Sequence, residues 1–363
     1  MKPFSQDNPI RVLIVDDSSF IRVTFKKLLE SDKQIKVVGM ARNGLEAMAM
    51  VRTTRPDLVT LDIEMPVMDG LSALKRLMRD TPLPVIMISS HTKEGSVATL
   101  NALELGAVDF IPKRSDGIFA GINELQTVLV EKVKSCATYR PDTVSAIPRP
   151  LPVKLDRRGL GEIDVVAIGA STGGPRALLD VIPLLPREFA AAVLVVQHMP
   201  KGFTATFAER LNSKSHLSVK EAEDGDPIEP GRVLVAPGDL HLVAATGSQG
   251  SRVVHLSETP VDSLFRPSVD VMMGSVAAIY GRRVLAVIMT GMGCDGTQGM
   301  RIVKRHEGIT LAQDKESCVV YGMPQAAAKV GVVDRTVTLS RLAQQIVDVA
   351  QGERITSRKQ ELC

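Results

Sequence analysis

The segment Ile10-Arg-Val-Leu-Ile-Val-Asp-Asp17 begins an alternation of two hydrophobic patterns that decides the fold class. Its apolar, β-branched part predicts a buried strand. The stretch from Phe20 to Leu29 then has the spacing of an amphipathic helix, and the same pair of patterns recurs at Ile35 to Met40 and Gly44 to Val51. Strands that alternate with helices in this way indicate an α/β fold with a parallel sheet.

The alternation continues through the first third of the chain. Further strands are predicted at Leu58 to Leu61, Val85 to Ile88 and Val108 to Ile111, each followed by a helical pattern, and the last helix is predicted at Ile122 to Val133. Five strands and five helices indicate a doubly wound, five-stranded parallel sheet. We therefore expect the first domain to cover residues 1–135.

A change of composition follows this domain. Pro141, Pro148, Pro150 and Pro152 stand among Arg, Ser and Asp residues, which predicts a Pro-rich, semi-rigid linker over residues 136–160. Strand-like and helical patterns then return and predict a second α/β domain over residues 161–363. Its strands are expected at Val165 to Ile168, Ala192 to Val196, Val233 to Val235, Val284 to Met289 and Ile309 to Leu311, with a helix at Pro175 to Leu184.

One pair of short strands in the second domain has a different pattern. His241 to Ala245 and Arg252 to Leu256 are joined by the turn Gly247-Ser-Gln-Gly250, which predicts an antiparallel hairpin near one edge of the sheet. The second domain is thus expected to hold a Rossmann-like, mostly parallel sheet with an antiparallel edge hairpin.

The composition argues against several classes of protein. The chain of 363 residues has a net charge of only +3, and its Lys and Arg residues are scattered, so nucleic acid is not an expected partner. The start is short and polar, and no apolar run has the length of a membrane span, so we expect no membrane insertion and a cytoplasmic location. The four cysteines are far apart, which indicates neither zinc binding nor disulfides.

Three carboxylates are expected at one edge of the first sheet. Asp16 and Asp17 follow the first strand and Asp62 follows the third, and the carboxyl ends of parallel strands meet at the same edge. Carboxylates this close repel each other unless a cation lies between them, and all-oxygen ligands favour Mg²⁺. A carboxylate neutralised in this way is able to attack a phosphoryl donor, and Asp62 is the candidate. The alternative is that Asp16 and Asp17 only cap the following helix.

The loop Gly169-Ala-Ser-Thr-Gly-Gly-Pro175 joins an apolar strand to a helix in the second domain. Its glycines permit a tight turn that exposes the hydroxyl of Ser171, and the helix N-terminus behind it favours a developing oxyanion. The rival interpretation is a phosphate-binding loop. No lysine follows the glycines as in a P-loop, and the G-x-G-x-x-G spacing is absent, so a serine nucleophile is favoured.

A serine nucleophile needs a base and an acid that orients the base. His198 ends the second strand of this domain, and Asp295 follows the strand that ends at Met289, so both are expected at the same sheet edge as Ser171. The chain order Ser171, Asp295, His306 is an alternative, but His306 lacks a strand-end position. Cys294 is a weaker candidate nucleophile because no base stands beside it in the sequence.

The run Leu61-Asp-Ile-Glu-Met-Pro-Val-Met-Asp-Gly70, with Asp16-Asp17, Ser89 and Lys113, closely resembles the receiver domains of response regulators. The resemblance spans nearly the whole first domain and implies a flavodoxin-like fold. It implies that Asp62 accepts phosphate from a histidine kinase. The implied Mg²⁺ ligands are Asp16, Asp17, Asp62 and the carbonyl of Glu64.

The same resemblance assigns three residues to the phosphate switch. Ser89 stands where the family has its switch hydroxyl, Phe110 where it has a switch aromatic, and Lys113 where it has a phosphate-contacting lysine. Arg114 departs from the proline that commonly follows this lysine, which leaves the geometry of that loop open.

Six short motifs occur along the second domain: Gly169-Ala-Ser-Thr-Gly-Gly174, Gln197-His-Met-Pro200 with Phe203, Ala236-Pro-Gly238 with His241, Arg266-Pro-Ser268, Gly291-Met-Gly293 with Asp295-Gly296, and Tyr321-Gly-Met-Pro324. Together they resemble the CheB family of chemotaxis methylesterases. The resemblance implies a triad of Ser171, His198 and Asp295, with Thr172 and Met292 lining the site. Amides near Thr172 and Gly173, with that of Met292, are expected to form the oxyanion hole.

The implied activity is demethylation of glutamate methyl esters on methyl-accepting chemotaxis receptors, without a cofactor in the esterase domain. The same carbonyl chemistry predicts deamidation of glutamines. The unphosphorylated receiver is expected to pack over the triad in an intramolecular interface, and phosphorylation of Asp62 to shift this equilibrium. The competing class is a receiver-controlled, non-catalytic binding module with a Gly-rich ligand loop.

Overall fold

The computed structural model describes residues 4–90, 92–113, 121–139 and 163–352. These belong to two compact units, one within Met1–Ala146 and one within Ile147–Cys363. Most of the predicted linker, residues 136–160, lies outside the described residues. The domain limits 1–135 and 161–363 therefore stay predictions.

The first unit is a five-stranded sheet with order β2-β1-β3-β4-β5, in which every neighbouring pair is parallel. The strands are β1 Ile10–Val15, β2 Ile35–Ala41, β3 Leu58–Asp62, β4 Val85–Ser90 and β5 Asp109–Lys113. The helices are α1 Ser19–Leu29, α2 Gly44–Thr54, α3 Gly70–Asp80, α4 Lys93–Glu104 and α5 Ile122–Cys136. The predicted doubly wound parallel sheet is confirmed.

The second unit holds a seven-stranded sheet with order β14-β13-β12-β6-β7-β9-β8, and all of its pairs are parallel. The strands are β6 Val165–Ala170, β7 Ala192–Gln197, β8 Ser218–Glu221, β9 Arg232–Val235, β12 Val284–Ile288, β13 Ile309–Gln313 and β14 Arg335–Val337. The helices are α6 Gly174–Val181, α7 Phe203–Lys214, α8 Val269–Tyr280, α9 Thr297–Arg305, α10 Met323–Lys329 and α11 Leu339–Ala350.

Two strands of this sheet have no counterpart in the sequence prediction. Strands β8 and β14 are the two edges of the sheet, and they are only four and three residues long. An edge strand of this length has one neighbour and a partly exposed surface, so it needs no long apolar run. The pattern that reveals the buried strands is therefore missing here.

The predicted hairpin is confirmed as β10 His241–Thr246 and β11 Arg252–Ser257, paired antiparallel. It forms a two-stranded sheet of its own instead of extending the edge of the parallel sheet. Its buried side chains, Leu242, Ala244 and Val254, belong to the core of the second unit, and β10 packs against α8. Because this face is covered by a helix, the hairpin needs no pairing with the larger sheet.

Three adjacent central strands, β12, β6 and β7, bring the candidate catalytic loops together. Along these strands every residue is buried, so their carboxyl ends are fixed by the core on both faces of the sheet. In the sheet, β6 lies between β7 and β12. Strand β7 is the next strand along the chain, whereas β12 comes much later in the sequence. Such a switch point in strand order is where open α/β sheets form their sites.

Among the described helices, none combines the length and the apolar character that crossing a bilayer requires.

Candidate active site and phosphorylation site

Asp16, Asp17 and Asp62 come together at the carboxyl ends of β1 and β3. One carboxylate oxygen from each lies within 4.8 Å of the others. Asp16 and Asp62 are buried and Asp17 is exposed, so the cluster opens to solvent on one side. Capping of α1 does not account for these acids, because Ser18 is the capping residue and accepts a hydrogen bond from the Ile21 amide.

Lys113 forms ion pairs with two of these carboxylates. Its Nζ lies 2.7 Å from Oδ2 of Asp62 and 3.1 Å from Oδ2 of Asp16. Burial raises the pKa of Asp62 to about 6, and the charges of Asp16 and Asp17 act in the same direction, against the hydrogen bond from Lys113. Burial alone would lower the pKa of Lys113, but its ion pairs with Asp62 and Asp16 raise it.

The cluster fits a hard divalent cation. Three carboxylates stand against Lys113 and the guanidinium of Arg22, which donates to the Asp16 and Asp17 carbonyls, so negative charge is in excess. The ligands are oxygens of the kind that Mg²⁺ prefers. Glu64 takes part in a different contact, since its Oε1 accepts a hydrogen bond of 3.3 Å from Ser90. Ligation by the Glu64 carbonyl stays a prediction.

Ser89 and Phe110, two of the residues assigned to the switch, are both buried. The hydroxyl of Ser89 is fully buried; it donates to the Gly95 carbonyl, 3.1 Å away, and accepts from Thr99 Oγ1, 2.6 Å away. It is thus directed towards α4 and not towards Asp62. Phe110 is buried in β5. Arg114 lies outside the described residues.

Ser171 follows the last residue of β6 and precedes the N-terminus of α6. Its backbone is held from both neighbouring strands: the amide donates to the Thr290 carbonyl beyond β12, and the carbonyl accepts from Nε2 of Gln197 at the end of β7, each over 3.0 Å. Gly173 caps α6 with a φ of 77°, and a Cβ there would lie 2.5 Å from the Cβ of Val319. Glycine is therefore required to turn the chain directly after the serine.

His198 follows β7, and its amide donates to the Ala170 carbonyl over 3.1 Å, which fixes it beside Ser171. Its Nε2 lies 2.8 Å from Oδ2 of Asp295. Its Nδ1 is buried and, within the residues that the structure describes, has no hydrogen-bond partner. The imidazole stacks on Phe265 with centroids 4.2 Å apart and an interplanar angle of 11°. The ring is thus held by an acid at one nitrogen and leaves the other available.

Asp295 lies between the N-termini of α8 and α9. Its carboxylate accepts backbone hydrogen bonds from Val269, Asp270 and Gly296, over 2.7 to 3.0 Å, and one from the hydroxyl of Ser268. Burial opposes ionisation, but the hydrogen bond and charge of His198 and the helix amides lower the pKa of Asp295. The acid is therefore an anion at neutral pH, and His198 Nε2 carries the proton between them.

The residues expected to line the site lie in the loops around Ser171. Thr172 is buried, and its carbonyl accepts from Oγ1 of Thr290 over 2.9 Å. Met292 is half-buried and follows Gly291, whose carbonyl accepts from the Gly322 and Met323 amides. A network of backbone bonds thus joins the loop after β12 to the start of α10.

The alternative residues do not share this geometry. His306 is exposed at the end of α9, while Asp295 pairs with His198. Cys294 is exposed. Gln197 and Phe265 were not predicted as site residues; Gln197 adjoins His198 in the quoted motif, which is a signal, whereas no local pattern identifies Phe265.

Both units of this chain are similar to known protein families. Residues 166–346 match the CheB methylesterase family, and residues 12–118 match the response regulator receiver domain family. Over 343 residues the chain is 46% identical to the protein-glutamate methylesterase/protein-glutamine glutaminase of Pyrococcus abyssi, a match that covers 93% of each chain. The chain belongs to the CheB methylesterase family.

Other CheB relatives agree in extent and fold. A protein-glutamate methylesterase/protein-glutamine glutaminase of Thermotoga maritima is 42% identical over 343 residues, covering 94% of this chain and 99% of the relative. The crystal structure of the Thermotoga maritima CheB methylesterase catalytic domain superposes with a TM-score of 0.50 and 44% identity, covering 52% of this chain and 98% of that one. Both domain families, receiver and methylesterase, are therefore matched within this chain.

Gly291 gives a test of how tightly Ser171, the predicted nucleophile, is packed. A Cβ at Gly291 would clash with Sδ of Met323 and would lie 2.8 Å from the Cβ of Ser171 and 3.1 Å from its amide nitrogen, so Gly291→Ala forces Met323 and the loop that carries Ser171 to shift. We expect ester hydrolysis to fall roughly 10–100-fold, because small misplacements of a nucleophile are costly. The measurement is the initial rate on a small activated ester. Gly274→Ala, where the nearest side-chain atom would be 3.3 Å away, is the control, and equal rates in both variants would contradict the packing argument.

The raised pKa of Asp62 predicts that the stability of the first unit depends on pH. Because folding raises its pKa from 3.8 to about 6, the folded state binds this proton more tightly, and the free energy of unfolding falls as the pH rises through that interval. In EDTA at pH 7.5, Asp62→Asn should raise the unfolding free energy by about 1–3 kcal/mol, and by almost nothing at pH 4. Calorimetric unfolding measures this, with Asp17→Asn as the exposed comparison. A gain that is the same at both pH values would refute the role of ionisation.

Proposed function

We propose that Ser171, His198 and Asp295 form the catalytic triad of a phosphorylation-activated protein-glutamate methylesterase, which also deamidates glutamines. The substrates are proposed to be methyl-accepting chemotaxis receptors. The observation that carries the proposal is the imidazole of His198, bonded through Nε2 to a buried carboxylate and free at Nδ1 within the described part of the chain. A base oriented in this way beside a serine supports nucleophilic acyl transfer.

In the first half-reaction Nδ1 of His198 takes the proton of the Ser171 hydroxyl as Oγ attacks the γ-carbonyl of the ester. The ionised Asp295 stabilises the imidazolium and holds the proton on Nε2. Collapse of the tetrahedral intermediate breaks the bond to the leaving group, to which His198 gives its proton, and methanol leaves. For a glutamine, ammonia leaves instead.

In the second half-reaction His198 removes a proton from water, which attacks the acyl-enzyme and releases the glutamate carboxylate and Ser171. The amides of Thr172, Gly173 and Met292 are proposed to hold the oxyanion. The N-terminus of α6 supports this assignment, since its dipole favours negative charge beside Ser171. No cofactor is proposed for these steps.

A non-catalytic module with a Gly-rich ligand loop is the competing function. Such a loop binds anions through free backbone amides. Here the Ser171 amide already donates to Thr290, and the Gly174 amide donates to the Ser171 carbonyl over 2.8 Å. The buried His198–Asp295 pair also has no purpose in a phosphate-binding loop. These contacts favour the esterase.

Ser171→Ala should abolish methanol release from methylated receptor, and His198→Asn should reduce it by a factor on the order of 10³ or more. A fluorophosphonate probe should label the wild-type chain and not the Ser171 variant. Ser213→Ala is the matched control, because this exposed serine donates to the Arg210 carbonyl within its own helix. Demethylation that persists in Ser171→Ala would refute the triad.

Regulation is proposed to act through Asp62, with a chemotaxis histidine kinase as phosphodonor and the cytoplasm as the place of action. Asp16, Asp17, Asp62 and the Glu64 carbonyl would hold Mg²⁺, which neutralises the charge of the carboxylates and of the incoming phosphoryl group. Lys113, already 2.7 Å from Asp62, is proposed to contact the phosphoryl group. Ser89 and Phe110 are proposed to respond to it.

Phosphorylation of Asp62 should raise the esterase activity of the full chain. We expect about 100-fold activation by a small phosphodonor with Mg²⁺, which corresponds to about 2.7 kcal/mol and lies within the effect of one phosphoryl group. Asp62→Asn should keep the low basal rate with or without the phosphodonor, in an assay of methanol release. Activation of the Asp62 variant to the same extent as the wild-type chain would remove this regulatory assignment.

A further inference from the structure

Two large apolar side chains are exposed on the loop that carries Phe265. Val261 is 70% exposed and Leu264 is 86% exposed. Phe265, the next residue along the chain, stacks on His198. Leu264 is thus one residue away from a ring in contact with the proposed base.

This concentration of apolar surface stands out within the second unit. Over its described residues, 163–352, the large apolar side chains that are exposed are Val261, Leu264 and Val330. Two of these three lie in one four-residue span next to the site. Single exposed apolar residues are ordinary, but adjacent ones at a site usually mark a contact surface.

The loop that carries them is anchored from below. His241 is fully buried; its Nε2 donates to the Pro260 carbonyl, and its Nδ1 accepts from the Ser268 amide, each over 3.2 Å. One buried ring therefore ties both ends of the segment 260–268 to the core. Within it, the Ser263 hydroxyl donates to the Phe265 carbonyl over 3.0 Å. The loop is held in a shape that presents Leu264 outwards while Phe265 packs inwards.

We propose that Val261 and Leu264 form a docking surface for the protein segment that carries the esterified glutamate, and that they contact apolar side chains next to that glutamate. The inference rests on the proposed function. A glutamate side chain is short. When its ester carbonyl reaches Ser171, the backbone of the receptor therefore has to pass close to the surface beside His198 and Phe265. A methyl ester offers few atoms for binding, and contacts remote from the reacting carbon supply the rest.

The surface predicts a selective loss on the protein substrate. The full chain with Val261→Ser and Leu264→Ser should lose roughly tenfold or more in kcat/KM for methylated receptor, relative to its kcat/KM for p-nitrophenyl acetate. Serine removes apolar surface and adds no charge near His198. The loss should fall mainly on KM, and Leu264→Met should retain wild-type selectivity because the apolar contact is kept.

Val330→Ser is the matched control, because Val330 is 45% exposed and belongs to the far end of α10. It should leave both rates unchanged. An equal fall on receptor and small ester in the double variant would overturn the proposal, since it would mean that the loop acts on His198 through Phe265. Unchanged rates on both substrates would overturn it as well.

Two further outcomes separate this inference from other causes. If the unphosphorylated double variant becomes more active than the unphosphorylated wild type, the surface is covered within the chain itself, and the docking proposal is overturned. If the wild-type chain releases no methanol from methylated receptor, the proposed function fails, and the docking proposal that rests on it is overturned with it. The wild-type assay is therefore measured first.

Discussion

The buried carboxylate of Asp295 is the group that joins the scaffold of the second unit to its chemistry. Taking a carboxylate out of water is costly unless hydrogen bonds and positive charge compensate for the loss of solvent. Here backbone amides from the starts of α8 and α9, the Ser268 hydroxyl and His198 supply both. The position of the imidazole, and with it the proposed role of Ser171 as nucleophile, follows from how this anion is held.

The central strands and the residues at their ends could be predicted because burial on both faces demands long apolar runs. Strand β1 was predicted at its observed bounds, and Ser171, His198 and Asp295 are all brought to one sheet edge by β6, β7 and β12. The edge strands β8 and β14 were not predicted, because short, half-exposed strands carry no such pattern. Phe265 was not predicted as a site residue for another reason. Its stacking on His198 depends on the path of a loop, which hydrophobic periodicity does not encode.

The imidazole nitrogen that faces the acid also could not be predicted from the sequence. That choice depends on the approach of Asp295 from the loop after β12, and the structure puts Nε2 on that side. In the first unit the carboxylate cluster follows directly from strand order, because β1 and β3 are neighbours. The orientation of the Ser89 hydroxyl does not follow from it, since Thr99 and Gly95 of α4 compete for that group.

The hydrogen bonds to Asp295 have a consequence for reading the sequences of related chains. Two helix starts rely on this anion, so replacing it disturbs folding even where no reaction is under selection, whereas the Ser171 hydroxyl makes no hydrogen bond within the described residues. A descendant that abandoned hydrolysis would be free to lose the serine while still keeping the aspartate. The acid alone is then a marker of the scaffold, and only the serine reports whether the chemistry survives.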